Sequence, residues 1–183
     1  ATGYYGGTRL IKAAIKKFGE YCIDKGIKLN SKNFTIRYQT SIPRQVGLAG
    51  SSAIVTATMK ALMRFYEVDI SRTLLPGLIL SVEVDELGIN AGLQDRVIQV
   101  YEGCVFMDFD KKYFNQHGHG YYEPIDYKHL PNLYLAYKTD LSKESGKVFN
   151  NVKERYNQGD REVIDTLNEI GELAEEGKKA LAN

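Results

Sequence analysis

Ile42-Pro43-Arg44-Gln45-Val46-Gly47-Leu48-Ala49-Gly50-Ser51-Ser52-Ala53 runs straight into an Ala-, Ile-, Val- and Leu-rich segment that ends near Tyr66. The proline and the two glycines punctuate a loop, and the apolar run after Ser52 has helical character, so a loop feeds a helix N-terminus. Gly47 and Gly50 leave the backbone free to approach a ligand closely. Ser51 and Ser52 stand where unpaired N–H groups and the helix dipole favour an anion. A serine hydroxyl at that place can also reach a phosphate or a magnesium ion. The loop is not a P-loop, because no lysine follows the glycines and the GxxxxGK[ST] spacing is missing. Taken alone, such a loop is an ordinary helix start.

Working outward, the downstream stretch Leu87-Gly-Ile-Asn-Ala-Gly-Leu-Gln-Asp95-Arg96 places an acid and a base after a glycine-bearing turn. Glu83 precedes it, in a helix expected from Leu78 to Leu87 that is otherwise apolar (Leu78, Ile79, Leu80, Val82). An acid there is ordinarily solvent-facing. A phosphate loop, a hard-oxygen metal ligand and a separate carboxylate are nonetheless the parts a phosphoryl transferase needs. A short helix is expected around Asp95 to Tyr101, a strand over Cys104-Val-Phe-Met-Asp-Phe, and a return strand from Tyr121 to Tyr127. Upstream, Leu10, Ile11, Ala14, Ile15, Phe18 and Cys22 define one face of a helix from Gly7 to Lys25, which Gly26 caps. Phe34-Thr-Ile-Arg-Tyr-Gln alternates and reads as a strand with one buried face.

After Leu130-Pro131 the pattern restarts, with an alternating strand at Leu133, Leu135 and Tyr137. Ser142 can cap a helix carrying Val148, Phe149, Val152 and Tyr156. Asp160 can cap another with Val163, Leu167, Ile170 and Ala174 at helical spacing. The order of short strands and paired helices predicts an α+β fold, with residues 1–130 as a first domain and 131–183 as the beginning of a second.

Over 183 residues, 24 Lys+Arg against 23 Asp+Glu give a net charge of +1, which offers nothing to a nucleic acid or a charged membrane surface. The longest uncharged stretch, Gln45 to Met59, is too short and polar to span a bilayer. No signal-peptide pattern opens the chain. Two distant cysteines, Cys22 and Cys104, indicate a reducing compartment, hence a cytoplasmic location. Oligomeric state is left open.

The loop from Pro43 to Ala53 resembles the second motif of the GHMP kinases, roughly P-x-x-x-G-L-G/S-S-S-A, with one additional residue at Ala49-Gly50. Ala91-Gly-Leu-Gln-Asp95-Arg96 resembles that family's G-[IL]-x-D segment. Within the family, the two segments together, with Ser145-Gly-Lys-Val and Gly171-Glu-Leu-Ala-Glu-Glu-Gly-Lys, are similar to the glucuronokinase group. The resemblance implies a GHMP-kinase-like N-terminal α+β domain followed by the start of a ferredoxin-like C-terminal domain. It implies ATP and Mg²⁺ as cofactors and transfer of phosphate to the anomeric hydroxyl of a sugar acid, D-glucuronate. Carried over by position, Gly47, Leu48, Ala49, Gly50, Ser51, Ser52 and Ala53 would bind the ATP phosphates. Ser52 and Glu83 would hold the metal, and Asp95 would be the catalytic carboxylate.

A substrate carboxylate needs a cation; Arg44, Arg96 and Lys147 are candidates, and Tyr5, with Tyr4, could line the sugar pocket. His117 and His119 read as part of a polar hairpin loop rather than a metal site, and Asp108 and Asp110 as strand-end acids. The family's first motif is expected before Ala1 and its third, a Gly-rich loop, after Asn183, so the chain reads as the central portion of the pattern, with an incomplete, inactive piece as an open alternative. Two other readings stay open: a kinase for another sugar (galacturonate, arabinose, galactose), and a non-catalytic nucleotide- or sugar-binding homologue.

Overall fold

The face predicted for the first helix is the one that folds inward. In the computed structural model, which describes residues 8–43, 46–137 and 145–182, α1 spans Arg9–Asp24 and buries Ile11, Ala13, Ala14, Phe18 and Cys22. Leu10 and Ile15 lie at its half-exposed edges. Gly26 adopts φ +66°, and Gly26 N and Ile27 N donate to Ile23 O and Cys22 O. This is the paired hydrogen-bond pattern of a left-handed C-terminal cap, which glycine enters without a Cβ penalty.

By spatial contacts the chain divides into two compact units, Ala1–Ile42 with Ala49–Glu102 and Met107–Tyr122, and Pro43–Leu48 with Gly103–Phe106 and Glu123–Asn183. The boundary expected near residue 131 falls inside the last segment of the second unit.

The first unit is helical. α2 (Gly50–Tyr66) packs against α1, against α3 (Leu75–Ser81) and against α4 (Leu93–Tyr101). Val55, Met59, Leu62, Ile79, Val82 and Val97 fill the space between them and are nearly or wholly buried. α3 does not stop at Ser81 but widens into a π-helical turn, Val82–Glu86. Lys16 of α1 donates to both carboxylate oxygens of Glu86 at 2.6 and 2.7 Å, tying that turn to α1.

Residues 34–39 form no strand, against the sequence expectation. The only sheet among the described residues pairs β1 (Cys104–Asp108) with β2 (Tyr121–Ile125). Alternation makes a strand only where a neighbour supplies ladder partners, and here Phe34 instead packs edge-on against Phe65 and Tyr66. Between β1 and β2 the expected polar hairpin loop is largely a helix, α5 (Lys111–His117), whose N-terminus is capped by Asp110 accepting from Tyr113 N at 2.7 Å.

In the second unit a 3₁₀ turn, Tyr127–His129, leads to an irregular stretch at 131–137, where a strand was expected. Leu133, Tyr134 and Leu135 are all strongly exposed, so neither parity of the alternation finds a face to bury. α6 (Ser145–Asn157) and α7 (Arg161–Ala182) pack on each other. Asp160 caps α7, accepting from Glu162 N at 3.1 Å, as its position predicts. Ser142 lies outside the described residues, as do the side chains of Val148 and Phe149. No helix among the described residues is long and apolar enough to cross a membrane.

Candidate active site

α2 begins without a side-chain cap. Its N-cap residue, Ala49, adopts a left-handed backbone with φ +52°, a conformation that costs a non-glycine residue about 1 kcal/mol. Gly47, just before it, takes φ +80° without that penalty. Ala53 N makes the first intrahelical bond, to Ala49 O at 3.1 Å, so the N–H groups of Gly50, Ser51 and Ser52 have no carbonyl within the helix. Ser51 is exposed and Ser52 fully buried. The Ser52 hydroxyl donates to Ala49 O and accepts from Gln99 Nε2, each at 2.9 Å. Leu48, Gly50 and Ala53 are half-exposed; Gly47 and Leu48 belong to the second unit.

α4 supplies the facing residues. Asp95 stands in its first turn, where the helix dipole favours a carboxylate, and its side chain is half-exposed. Gln99 lies one turn further on, donating to Ala49 O at 3.1 Å while accepting from Thr56 Oγ1 at 3.1 Å. At the far end of the same helix, Lys60 donates to Gln99 O at 3.1 Å and to Glu102 at 2.9 Å. That hydrogen bond, with the ammonium charge behind it, holds the Glu102 carboxyl below its ordinary range.

Glu83 lies on the π turn and is completely buried. Its Oε2 accepts from Nε of Arg96 at 3.0 Å and from Nη2 of the same guanidinium, while Oε1 has no hydrogen-bond partner. Arg96 is itself buried, and its Nη1 donates to Gly92 O at 2.9 Å and to Asp95 Oδ2 at 3.2 Å. Two residues singled out for separate roles, a metal ligand and a cation for substrate, are thus the two halves of one buried ion pair. The guanidinium of Arg96 is committed to the protein interior.

Arg44 and Tyr5 fall outside the described residues. Lys147 lies in the first turn of α6, its side chain not among those described. His117 stacks on Tyr113 with ring centroids 4.1 Å apart, and Nδ1 of His119 lies 2.7 Å from Gly120 O. Among the described residues no group of three or more His, Cys, Asp or Glu side chains could enclose a metal ion. Asp108 accepts from Asp110 N at 2.8 Å, so both acids shape the β1–α5 corner.

The residue sequence reasoning missed is Gln99. Four positions after Asp95 it shares that residue's helix face, and this spacing was the one available signal.

A helix start without a side-chain cap, a carboxylate on the helix packed against it and a buried acid with an unpartnered oxygen are the features the first unit carries around α2 and α4. Residues 9–103 match the family model described as GHMP kinases N terminal domain, and the chain belongs to that family. It is 50% identical to Glucuronokinase 1 of Arabidopsis thaliana over 183 residues, 99% of this chain and 50% of that protein. It is equally 50% identical to Probable glucuronokinase 2 of the same organism, over 98% of this chain and 49% of that protein. D-glycero-alpha-D-manno-heptose 7-phosphate kinase of Campylobacter jejuni is 25% identical over 81% of this chain and 43% of its own length. The chain spans about half the length of the curated relatives it matches. No solved structure matches it significantly.

Proposed function

We propose that this chain carries the nucleotide-phosphate and catalytic-acid elements of an ATP-dependent kinase that phosphorylates the anomeric hydroxyl of D-glucuronate, giving glucuronate 1-phosphate. The observation that carries the reading is the 50% identity to a glucuronokinase over 99% of the chain. In this reading Gly47, Leu48, Ala49, Gly50, Ser51, Ser52 and Ala53 bind the ATP phosphates, with the N–H groups at the start of α2 as donors. Asp95, half-exposed, orients the sugar hydroxyl and accepts its proton.

Magnesium is bound by few protein carboxylates, with phosphate and water oxygens completing its shell. The buried Oε1 of Glu83, lacking any hydrogen-bond partner, is a hard oxygen of that kind and supports Glu83 as a ligand, with Ser52 assigned as the accompanying hydroxyl. When bound, the ion would neutralise charge on the transferring phosphoryl group. Because Arg96 is committed to Glu83, the cation for the sugar carboxylate is assigned to Arg44 or Lys147, and Tyr5 to the sugar pocket. Residues 131–183 are read as the start of a ferredoxin-like C-terminal domain, and the two free cysteines suit a cytoplasmic setting.

The test is phosphate transfer to a sugar panel by the full-length protein and its Asp95→Asn variant. Turnover with glucuronate, abolished in Asp95→Asn while MgATP binding persists, supports the reading. Preference for a neutral sugar removes the carboxylate assignment, and near-normal activity of Asp95→Asn sinks the mechanism.

A further inference from the structure

We propose that Gln99 is a positioning residue for phosphoryl transfer, its side-chain amide tying the helix that bears Asp95 to the helix start that bears Ser51 and Ser52. The proposal rests on the kinase reading above and adds a role to a residue outside its phosphate, metal and acid groups.

Both hydrogens of the Gln99 amide are used, one on Ala49 O at 3.1 Å and one on Ser52 Oγ at 2.9 Å, and Oε1 accepts from Thr56 Oγ1 at 3.1 Å. The amide therefore has one satisfied orientation, since turning it over would set Oε1 against the Ala49 carbonyl, acceptor against acceptor. Ala49 O is the hub of the network, accepting from Ala53 N at 3.1 Å, Ser52 Oγ at 2.9 Å and Gln99 Nε2. Its residue is held in a left-handed backbone with no glycine to ease it, and such conformations persist where their surroundings over-determine them. The Ser52 hydroxyl gives its proton to Ala49 and one lone pair to Gln99. Gln99 thus presets the orientation of the hydroxyl at the start of α2.

Packing of α2 on α4 does not depend on this amide. Val55, Met59, Val97 and Val100 are buried in their own right, and Lys60 bonds to Gln99 O and Glu102 at the other end of α4. Loss of the amide leaves the helices packed and frees the loop end, so the effect is on the position of the phosphate site relative to Asp95.

The experiment compares Gln99→Met, which keeps length but removes the amide, and Thr56→Val, which releases only its orientation, in the full-length protein. Calorimetric MgATP affinity, kcat and KM for both substrates and the melting temperature are read together. The expected result for Gln99→Met is a kcat lower by about 10- to 100-fold, the scale of a small misplacement of reacting groups. MgATP binding weakens and KM for the sugar stays near wild type, with Thr56→Val showing a smaller loss of the same kind. A lowered melting temperature with wild-type kcat and MgATP affinity overturns the proposal. Should Gln99→Met fail to fold, wild-type kcat in Thr56→Val overturns it equally. If wild-type protein binds no MgATP, the kinase reading itself fails, an outcome separate from failure of the Gln99 role.

Discussion

Helices α2 and α7 are the two longest of the described residues, and they use their apolar faces differently. α2, 17 residues long, buries Ser52, Val55, Thr56, Thr58, Met59 and Leu62. α7, with 22 residues, buries Val163, while Leu167, Ile170 and Leu173 on its helical repeat are 41, 56 and 64% exposed. Both sequences are amphipathic, so period alone does not distinguish a helix that organises a core from one held by a partner helix and a cap. What separates them is the polar detail. α2 carries buried hydroxyls that bond across to α4, whereas the polar contacts of α7 include its N-terminal cap and the half-buried Lys178–Glu123 pair.

The sharpest way to break the first of these regions is Arg96→Met. It leaves the Glu83 carboxylate buried without its guanidinium partner, and a loss of about 3–5 kcal/mol is expected from chemical denaturation. The double variant Glu83→Gln with Arg96→Met should recover much of it, because the uncompensated charge is gone.

A matched pair of truncations probes the contrast between the helices directly. Met59→Ala, at a site with no exposure, should cost about 2–5 kcal/mol. Ile170→Ala, more than half exposed, should stay within about 0.5 kcal/mol. Equal losses at the two sites would show that the α7 face is covered in solution.

The smallest effect concerns the cap of α7. A hydrogen bond from Arg155, 2.7 Å long, is the main reason the Asp160 carboxyl sits below its ordinary value, with the opposite charge and the Val163 and Glu162 N–H groups adding to it. A depressed carboxyl contributes stability above its unfolded pKa and loses that contribution as the pH falls through the folded value. Acid titration by far-ultraviolet circular dichroism should therefore show α7 losing helix at the acidic end. Asp160→Asn should flatten that part of the curve, modestly, because the pair is partly exposed to solvent.

Much of the fold was legible because it is local. The Gly26 cap, the loop-to-helix passage at Gly50 and the cap at Asp160 each depend on a few neighbouring residues, and each appears where the residues place it. The α+β class follows from helices combined with a small sheet. The two misread strands, 34–39 and 133–137, needed something no alternation carries, namely a partner for their ladders. Helix α5 was missed because Lys111-Lys-Tyr-Phe-Asn-Gln-His117 is short and polar, and its Asp110 cap was read as a strand end.

At the candidate site, residue types showed and pairings did not. Glu83 and Arg96 stand thirteen positions apart, and no periodicity announces that one neutralises the other in the interior. Gln99 was hidden for the opposite reason, since a glutamine on an amphipathic helix looks like surface until its amide is seen to reach Ala49 and Ser52.

The π turn at Val82–Glu86 adds a consequence of its own. Such a turn is how a helix absorbs one surplus residue, and taking that residue out would turn the last residues of this helix by about 100° around its axis. Substitution can be tolerated within Val82–Glu86, but a codon gained or lost there changes which way Glu83 and Glu86 face.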